Sequence, residues 1–499
     1  MWVFYTCSFI TGLLVTYHGV PGPLLNKISS VPLAVGDIFL RRNEKIFKWH
    51  QKYGSIVCIS PNEVSVASID ATRKIYSTNS RYDKSNYFDN FKGYGANHSI
   101  FATKLFEEHK KKRKLTFSFY QASTLYTKTF IEEGIRLNVR SVLEHISILS
   151  QNTSTIDVYS FTDWYAFDNI TRIVLGPVHC SHSIKGDSEE RRILRNLKHC
   201  QLWGPFRVRF PWAFQVMTFL CKYANIGGHL KAELELAKWC RDRALKALRD
   251  IKVDQANSYS LIHNLLSRKG RHKQGLDNFS LAPDFIEAEV LDNINAAEAT
   301  VSVTATYAIY YLSREIKWQT RIRNELLQLP RELDGLPTFA NINKAPVLDA
   351  CLMEVYRLKP AVSGRAERVI PDGGRLISGV YLPEKTIVST SVTAIHHNKN
   401  SFTILEEFAP QQWLDVTSHH RSTMETHLIP FGYGARLCLG KPLATMEIKL
   451  LLAGIYLHYE TRLSKLTTEE SMKQTSTHDA VPRGLNCEIQ FCGLSSCNV

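Results

Sequence analysis

The sequence predicts a mainly α-helical protein with small β-sheets, and three segments lead to this prediction. Residues 284–314 contain no Gly or Pro and are apolar around most of the helix circumference, which is typical of a helix buried inside a protein. Residues 53–71 alternate in polarity and are rich in β-branched side chains, so they predict a hairpin that turns at Pro61 and Asn62. Residues 363–398 are rich in Gly, Pro and β-branched side chains, which indicates short strands joined by turns.

Two further helices follow from spacing and position. Residues 346–358 place Leu348, Leu352 and Val355 three and four positions apart, which is the spacing of one helix face. Residues 442–459 form an apolar run after a Gly-rich loop, and we expect a helix there. No linker, internal repeat or low-complexity run divides the chain, so we expect one body after the N-terminal segment.

The N-terminal segment is the candidate for membrane attachment. Residues 2–17 carry no acidic or basic side chain and are followed by Pro21, Gly22 and Pro23. This run is shorter than the roughly 20 residues that cross a bilayer comfortably, and neither the basic start nor the cleavage site of a signal peptide is evident. We therefore expect residues 1–20 to be a retained membrane anchor and hinge; the alternative is a buried N-terminal strand or helix.

Charge and cysteine content limit the classes of protein. The eleven cysteines are scattered without a close pair, so neither a disulfide framework nor a zinc site is indicated, and a reducing compartment is expected. The formal net charge of +14 suggests an acidic partner or an anionic membrane surface. No motif indicates a nucleic acid partner.

Cys438 stands apart from the other cysteines. It lies in a loop with Gly432, Gly434 and Gly440, directly before a predicted helix, and Arg436 is two residues away. Free N–H groups and the positive end of the helix favour a thiolate over a thiol. These features suggest a metal-ligating sulfur on a rigid loop, although they do not identify the metal.

The segment FGYGARLCLG resembles the haem-binding signature of the cytochromes P450, with Phe431, Gly434, Arg436, Cys438 and Gly440 at the fixed positions. A second segment, PVLDACLMEVYRLKP, resembles the E-x-x-R helix of the same family. In general character the chain is similar to fungal microsomal members. The resemblance implies the P450 fold, with a long central helix and a Cys-ligand loop, and a catalytic domain over residues 21–499. It also implies haem b as the cofactor, held by Phe431 and Arg436 and by Cys438 as the axial thiolate of its iron.

The E-x-x-R pair, Glu354 and Arg357, has two interpretations. Its helical spacing alone favours an ordinary surface ion pair beside the apolar stripe. The resemblance instead implies a buried structural pair that supports the loop behind the haem. One departure from the family pattern is Gln412, which stands where the family has an arginine and brings no charge to this network.

The resemblance also implies which residues bind the two haem propionates. His109 and Arg113 are four apart on one predicted helix face, and Arg368 and Arg436 complete the set. The three lysines between His109 and Arg113 are expected to form a solvated face. Their charge could help to dock an acidic electron donor.

Two registers are open for proton delivery on the central helix. Alignment of its flanking residues with the family places Ala296 and Ala297 at the Ala-Gly pair and Thr300 at the catalytic threonine, and we prefer this register. A shift by one residue would instead make Glu298 the catalytic acid. Both residues could also be ordinary helix residues with no catalytic role.

For function, the resemblance implies an oxidoreductase, a monooxygenase that inserts one oxygen atom from O2 into a lipophilic small molecule. By analogy the substrate is a terpenoid, polyketide or alkaloid intermediate of fungal secondary metabolism. The implied electron donor is NADPH-cytochrome P450 reductase, with cytochrome b5 as a further candidate, at the endoplasmic reticulum membrane with the catalytic domain facing the cytoplasm. Aromatic residues in 84–101 and 201–220 are expected to roof the pocket. The alternatives are a haem-thiolate enzyme that rearranges or dehydrates its substrate without reductase, and a catalytically eroded haem protein.

Overall fold

The computed structural model describes residues 19–92, 98–152, 154–186, 188–224, 226–250, 259–271 and 283–494. The predicted anchor and hinge, residues 1–20, lies outside the described residues except for its last two positions. Within the described ranges, no helix has both the length and the apolar character that crossing a membrane requires.

Helices dominate the fold, as the sequence predicted. In chain order they are α1 (Leu24–Ile28), α2 (Val31–Ile38), α3 (Arg42–Tyr53), α4 (Ile69–Tyr76), α5 (Phe106–Thr116), α6 (Ala122–Leu125), α7 (Thr129–Asn152), α8 (Val158–Leu175), α9 (Ser188–Gln201), α10 (Gly204–Arg209), α11 (Pro211–Tyr223), α12 (Ala232–Asp250), α13 (Leu261–Arg271), α14 (Pro283–Arg314), α15 (Ile316–Leu327), α16 (Phe339–Ile342), α17 (Pro346–Leu358), α18 (Val392–His396), α19 (Gln411–Leu414), α20 (Ser418–His427) and α21 (Lys441–His458). Short 3-10 turns occur at Asn86–Phe91, Ser183–Lys185, Gly228–Lys231 and Gly434–Arg436.

The strands are short and form three small sheets. They are β1 (Ile56–Ser60), β2 (Glu63–Val66), β3 (Asp83–Lys84), β4 (Ile156–Asp157), β5 (Arg368–Val369), β6 (Arg375–Ile377), β7 (Val380–Leu382), β8 (Ile387–Thr390), β9 (Tyr459–Leu463) and β10 (Glu488–Gly493). The largest sheet has the order β1-β2-β8-β5-β3, in which β2 and β8 are parallel and the other pairs antiparallel. The others are β4-β10-β9 and β6-β7.

The central helix α14 organises the core. It has 32 residues, which corresponds to a length of about 48 Å, and it packs mainly along α8. The main hydrophobic cluster joins residues of α14, α8 and α21, and a smaller cluster lies around the β1-β2-β8 sheet. The predicted buried helix over 284–314 is therefore confirmed, and its position makes it the wall of any site between these elements.

The predicted hairpin and helices also agree with the structure, and the predicted strand region over 363–398 differs from it only at its end. The hairpin of β1 and β2 pairs Ile56 with Val66 and turns at Pro61 and Asn62, and α17 has the predicted bounds. The end of the predicted strand region is instead the helix α18, because the Ser391 hydroxyl accepts the Ala394 N–H and begins a helical turn.

One of the three lysines expected on a solvated face of α5 is buried. Lys110 and Lys111 are exposed, but Lys112 is only 3% exposed. Its ammonium donates to the Thr103 hydroxyl at 3.0 Å and lies 2.8 Å from the carboxylate of Glu108. The expectation for Lys112 was wrong because the loop before α5 folds back over this side of the helix, and the sequence pattern of α5 contains no sign of that contact.

Candidate active site

An interior cavity of about 370 Å³ lies between α14 and the loop that carries Cys438. Its walls include residues from 289–304 of α14, from 361–368 before and within β5, and from 429–448 around the Cys loop and the start of α21. Among the described cysteines, Cys438 alone lines this cavity. The arrangement brings the signature loop and the central helix to one site.

Backbone hydrogen bonds hold the loop before Cys438. The Cys438 N–H donates to the Phe431 carbonyl at 2.9 Å, and the Leu437 N–H donates to the Gly434 carbonyl at 3.0 Å. Gly434 has a φ of +68°, and a Cβ there would overlap the carbonyl oxygen of Tyr76 at the end of α4. Glycine is required at this position because the loop packs directly on the backbone of α4.

Cys438 is exposed to the open space of the cavity, while protein surrounds both the cavity and the thiol. Burial raises its pKa, and the N–H groups of Gly440 and Lys441, together with the charge of Arg113, oppose this effect only in part. The donors predicted from the sequence are therefore present, but they do not by themselves favour the thiolate. A cation in direct contact with the sulfur would do so, and the site therefore fits a thiolate-bound metal.

The predicted propionate-binding residues all line the cavity; they are His109, Arg113, Arg368 and Arg436. Burial and the nearby charge of Arg436 lower the pKa of His109 to about 2, so its ring is neutral. Burial, with Arg368 close by, lowers the pKa of Arg436 to about 9. Positively charged guanidinium groups that lie close together in a buried site repel one another. A ligand with two carboxylates, such as haem, would compensate these charges, so the site fits such a ligand.

Lys84 belongs to the same wall, and the sequence analysis did not single it out. Its ammonium donates to the Phe101 carbonyl and lies 4.3 Å from the ring centroid of Phe88. Burial, with Arg436 and Arg368 nearby, lowers its pKa well below the usual range. A single lysine in an aromatic segment gave no periodic signal that could have identified it.

On α14, Thr300 lies at the cavity and Glu298 does not. Ala296, Ala297 and Thr300 line the cavity, and the Thr300 hydroxyl donates to the Ala296 carbonyl at 2.8 Å. Glu298 and Thr300 are two positions apart, which corresponds to a rotation of about 200° around the helix axis, so Glu298 occupies a different face of α14. Of the two candidates, Thr300 is thus the one that lines the cavity.

Glu298 belongs to a separate buried polar group. Burial and the carboxyl of Asp163, with which it shares a hydrogen bond, raise the pKa of Glu298 well above the usual range. The Lys198 ammonium lies 3.0 Å from Asp163 and donates to the Tyr159 carbonyl at 3.1 Å. This group joins α14, α8 and α9 away from the cavity.

The E-x-x-R pair is buried and not on the surface. Glu354 and Arg357 are each 0% exposed, and two guanidinium nitrogens donate to the carboxylate at 2.9 and 2.6 Å. Arg357 also donates to the carbonyl of Leu405 at 2.7 Å. The surface interpretation of the helical spacing was therefore wrong, because later segments of the chain cover this side of α17.

Gln412 completes this network without a charge. Its side-chain amide donates to both Glu354 oxygens at 3.0 and 3.1 Å, and the Trp413 indole donates to the same carboxylate at 2.8 Å. The link to the Cys loop runs through His396, whose Nδ1 lies 3.2 Å from the Arg357 carbonyl and whose Nε2 accepts the Ile429 N–H at 2.9 Å. The substitution of an amide for the family arginine thus preserves a hydrogen-bonded carboxylate.

Glu447 is a second cavity residue that the sequence analysis missed. It lies on α21, is 1% exposed, and has no hydrogen-bond partner for either carboxyl oxygen among the described residues. Burial raises its pKa well above the usual range, so the neutral acid is favoured. A lone acid within an apolar helix was the available signal.

A second cavity of about 280 Å³ adjoins the first. The two share six wall residues: Phe91, Asp292, Asn295, Arg365, His478 and Asp479. Helix α10 and the end of α9 form its other side. A molecule bound near Thr300 can therefore extend into the second cavity.

Asp37 holds α10 to this region. Its carboxylate accepts hydrogen bonds from Arg209 of α10 at 2.6 Å and from Arg365 at 2.5 Å, and the Arg42 guanidinium lies 3.6 Å away. Burial alone would raise the pKa of Asp37, but Arg365, Arg42 and Arg209 together hold it below its usual range. Asp37 is thus a buried carboxylate shared by three arginines.

Comparison with known proteins settles the family. A family model for cytochrome P450 matches residues 32–485. The chain belongs to the cytochrome P450 family. It is 38% identical over 483 residues to cytochrome P450 monooxygenase FGM1 of Gibberella zeae, covering 96% of this chain and 93% of that protein. It is 25% identical to cytochrome P450 monooxygenase pkfB of Emericella nidulans, covering 90% of this chain and 88% of the relative. It is also 25% identical to cytochrome P450 monooxygenase mpaDE of Penicillium roqueforti, covering 92% of this chain but 54% of that longer protein.

Family membership gives the reaction class and the cofactor. This P450 is a monooxygenase, and the family binds haem b through a cysteine thiolate. The cavity fits that group, because it combines one cysteine with a wall of cationic side chains. The helical fold with small sheets agrees with the same family.

Proposed function

We propose that this P450 inserts one oxygen atom from O2 into a lipophilic small molecule in fungal secondary metabolism. The observation that carries the proposal is one cavity that Cys438 and Thr300 both line, on different elements. The fungal monooxygenases to which the chain is similar support the same kind of reaction. A terpenoid, polyketide or alkaloid intermediate as substrate follows by analogy with fungal members of the family.

The cofactor-binding residues have separate roles in this proposal. Haem b, when bound, supplies the iron at which O2 is activated. Cys438 Sγ would ligate the iron, and the neutral His109 with Arg113, Arg368 and Arg436 would bind the propionates. The ring of Phe431 lines the cavity and packs edge-on against Tyr356, with 5.1 Å between centroids, which stiffens the loop.

Thr300 is the proposed proton-handling residue. Its hydroxyl is held by the Ala296 carbonyl and faces the same cavity as Cys438. A hydroxyl in this position can hold a water molecule and pass a proton through Oγ1 to the reacting oxygen, as a general acid. Glu298 acts only indirectly in this scheme, as part of the buried group with Asp163 and Lys198.

Electron supply and location are further parts of the proposal. We expect NADPH-cytochrome P450 reductase as the donor, with cytochrome b5 as a further candidate, and the exposed charges of Lys110 and Lys111 support docking of an acidic protein. We expect the endoplasmic reticulum membrane as the location, with the catalytic domain facing the cytoplasm. Supporting this, Trp212 and Phe219 on α11 and Leu24 on α1 are 70%, 58% and 77% exposed.

The first test is the reduced carbon monoxide difference spectrum of the full-length protein. We expect the thiolate-type spectrum from the wild type and from a Cys351→Ala variant, because Cys351 is buried away from the cavity. We expect Cys438→Ala to lose it. An unchanged spectrum in the Cys438 variant would show that another residue binds the iron.

The second test concerns the substrate. Metabolites of a fungal strain that lacks the gene are compared with those of the parent strain, and the accumulated compound is incubated with purified P450, reductase and NADPH. We expect a product heavier by one oxygen atom. Turnover to an isomer or a dehydrated product without NADPH would favour the reductase-independent alternative.

A further inference from the structure

The second cavity lies at a defined distance from the proposed site of oxidation. Asp292 and Asn295 line both cavities and precede Thr300 by eight and five residues on α14. At 1.5 Å per residue these positions are about 12 and 7.5 Å from Thr300 along the helix axis. A substrate that is oxidised beside Thr300 and reaches the second cavity therefore spans roughly 10 Å.

The cationic side chains of the second cavity already have anionic partners. Arg365 donates to Asp37 at 2.5 Å, and Lys92 lies 3.2 Å from Asp89. Arg207 forms an ion pair with Glu233 on the opposite helix. Because these charges are compensated within the protein, they do not create a need for an anionic ligand.

Two carboxyl groups of the same cavity lack such partners. Among the described residues, no lysine, arginine or histidine nitrogen lies within 4.0 Å of Asp292 or Asp479. Asp479 is 8% exposed; its Oδ2 accepts the Gln201 amide at 3.3 Å, and its Oδ1 has no hydrogen-bond partner within the described ranges. Asp292 is hydrogen-bonded to Ser99 and to the Phe101 N–H. Burial raises the pKa of Asp479 to about 7 with no cation to oppose it, which is the response of a buried acid that is short of positive charge. Burial also raises the pKa of Asp292 to about 6, although its hydrogen bonds and the charge of Lys84 oppose this in part.

Aromatic rings line the same junction of the two cavities. The rings of Phe91 and His478, which line both cavities, have centroids 4.7 Å apart, and Phe101 lies 5.1 Å from Phe91. Burial and the charges of Lys84 and Arg365 lower the pKa of His478 to about 4, so its ring is neutral. Aromatic faces next to unpaired carboxylates are the combination that binds organic cations.

We infer that the junction of the two cavities binds a protonated nitrogen group of the substrate, with Asp479 and Asp292 as acceptors and the Phe91 ring beside it. The inference rests on the proposed function, since the bound molecule is the one oxidised in the first cavity. A neutral donor would satisfy Asp479 Oδ1 but would leave the charge of Asp479 uncompensated. Within the lipophilic substrates proposed above, this favours a basic, nitrogen-containing class.

The test uses pairs of imidazole probes that report on both cavities. Imidazole binds the haem iron through nitrogen and shifts the absorption spectrum, so binding can be titrated with the intact holoenzyme. One probe of each pair carries a trimethylammonium group at the end of a polymethylene chain, and the other carries an isosteric tert-butyl group. For the chain length that spans roughly 10 Å, we expect the ammonium probe to bind about tenfold more tightly.

Charge variants separate the two carboxyl groups from general electrostatics. Asp479→Asn, alone or with Asp292→Asn, should reduce the ammonium preference to about twofold or less while leaving the affinity of the tert-butyl probe unchanged. Asp70→Asn is the matched control, because it removes one charge from a side chain that is 85% exposed and outside both cavities. It should retain the full preference.

The outcomes distinguish this inference from the function on which it rests. If the tert-butyl probe shifts the spectrum and the ammonium probe binds no better, the cation site is wrong and the monooxygenase proposal stands. The site is equally wrong if the preference survives in the double variant. If no probe shifts the spectrum and the thiolate-type carbon monoxide spectrum is absent, both fail together.

Discussion

Truncation of Gln412 tests whether a neutral amide is sufficient beside the buried Glu354 carboxylate. In the Gln412→Ala variant, Glu354 loses the donor at 3.0 and 3.1 Å but keeps Arg357 and Trp413. Hydrogen bonds to a charged group contribute about 1.5–3 kcal/mol, and removal of the buried side-chain carbons adds about 1 kcal/mol. We therefore expect the free energy of unfolding to fall by about 2.5–4 kcal/mol.

Two further variants set the scale of that change. Glu354→Gln leaves the fully buried Arg357 charge without its carboxylate and should destabilise the protein by about 3–5 kcal/mol. Gln411→Ala is the matched control, because Gln411 is only partly buried and lies next to Gln412 in α19. It should change stability by less than about 0.5 kcal/mol.

The assay is urea unfolding of the haem-loaded protein, followed by tryptophan fluorescence and by the carbon monoxide difference spectrum. Both signals should report the same order of midpoints: Gln411→Ala near the wild type, then Gln412→Ala, then Glu354→Gln. The reasoning fails if Gln412→Ala is as stable as Gln411→Ala, because the amide would then contribute nothing to the network.

Three other predictions concern catalysis, attachment and pH. The Thr300→Ala variant should keep the carbon monoxide difference spectrum but form much less product per NADPH consumed, whereas Glu298→Gln should change this ratio little. If Thr300→Ala formed as much product per NADPH as the wild type while Glu298→Gln was inactive, the register with Glu298 as the catalytic acid would be favoured. Deletion of residues 1–20 should give a haem-loaded protein that sediments only partly with membranes, and loss of all haem would show that the segment belongs to the fold. Burial raises the pKa of Asp479 to about 7 and of Glu289 to about 8. From about pH 5 to pH 8 the folded state therefore binds more protons than the unfolded state, and the stability of the protein should fall as the pH rises. The Asp479→Asn variant should show a smaller slope of thermal midpoint against pH.

The parts of the fold that the sequence predicted well are those that depend on local pattern. The central helix has an uninterrupted apolar circumference, and its observed bounds differ from the predicted ones by one residue. The Cys438 loop carries glycine where a side chain would meet the backbone of α4. Such requirements act within a short segment, so they remain visible in the sequence.

The parts that could not be predicted depend on contacts between distant segments. Lys112 looks like a surface lysine until the preceding loop covers it, and Glu354 looks like half of a surface pair until the segment with Gln412 and Trp413 closes over it. Asp292 and Asp479 are far apart in sequence, yet both line the junction of the two cavities. Helical spacing describes one element at a time and cannot report these neighbours.

The shared carboxylate of Asp37 has a consequence for how firmly α10 is held. If Arg209 separates from it, Asp37 keeps Arg365 and Arg42, and the Arg209 guanidinium, already 25% exposed, returns to water. Neither side is left with a stranded buried charge, so separating Arg209 from Asp37 costs about 1 kcal/mol instead of the roughly 3–5 kcal/mol of an isolated buried pair. The other ion pair of α10, between Arg207 and Glu233, is also partly exposed, so added salt should weaken both contacts and loosen this helix at the wall of the second cavity.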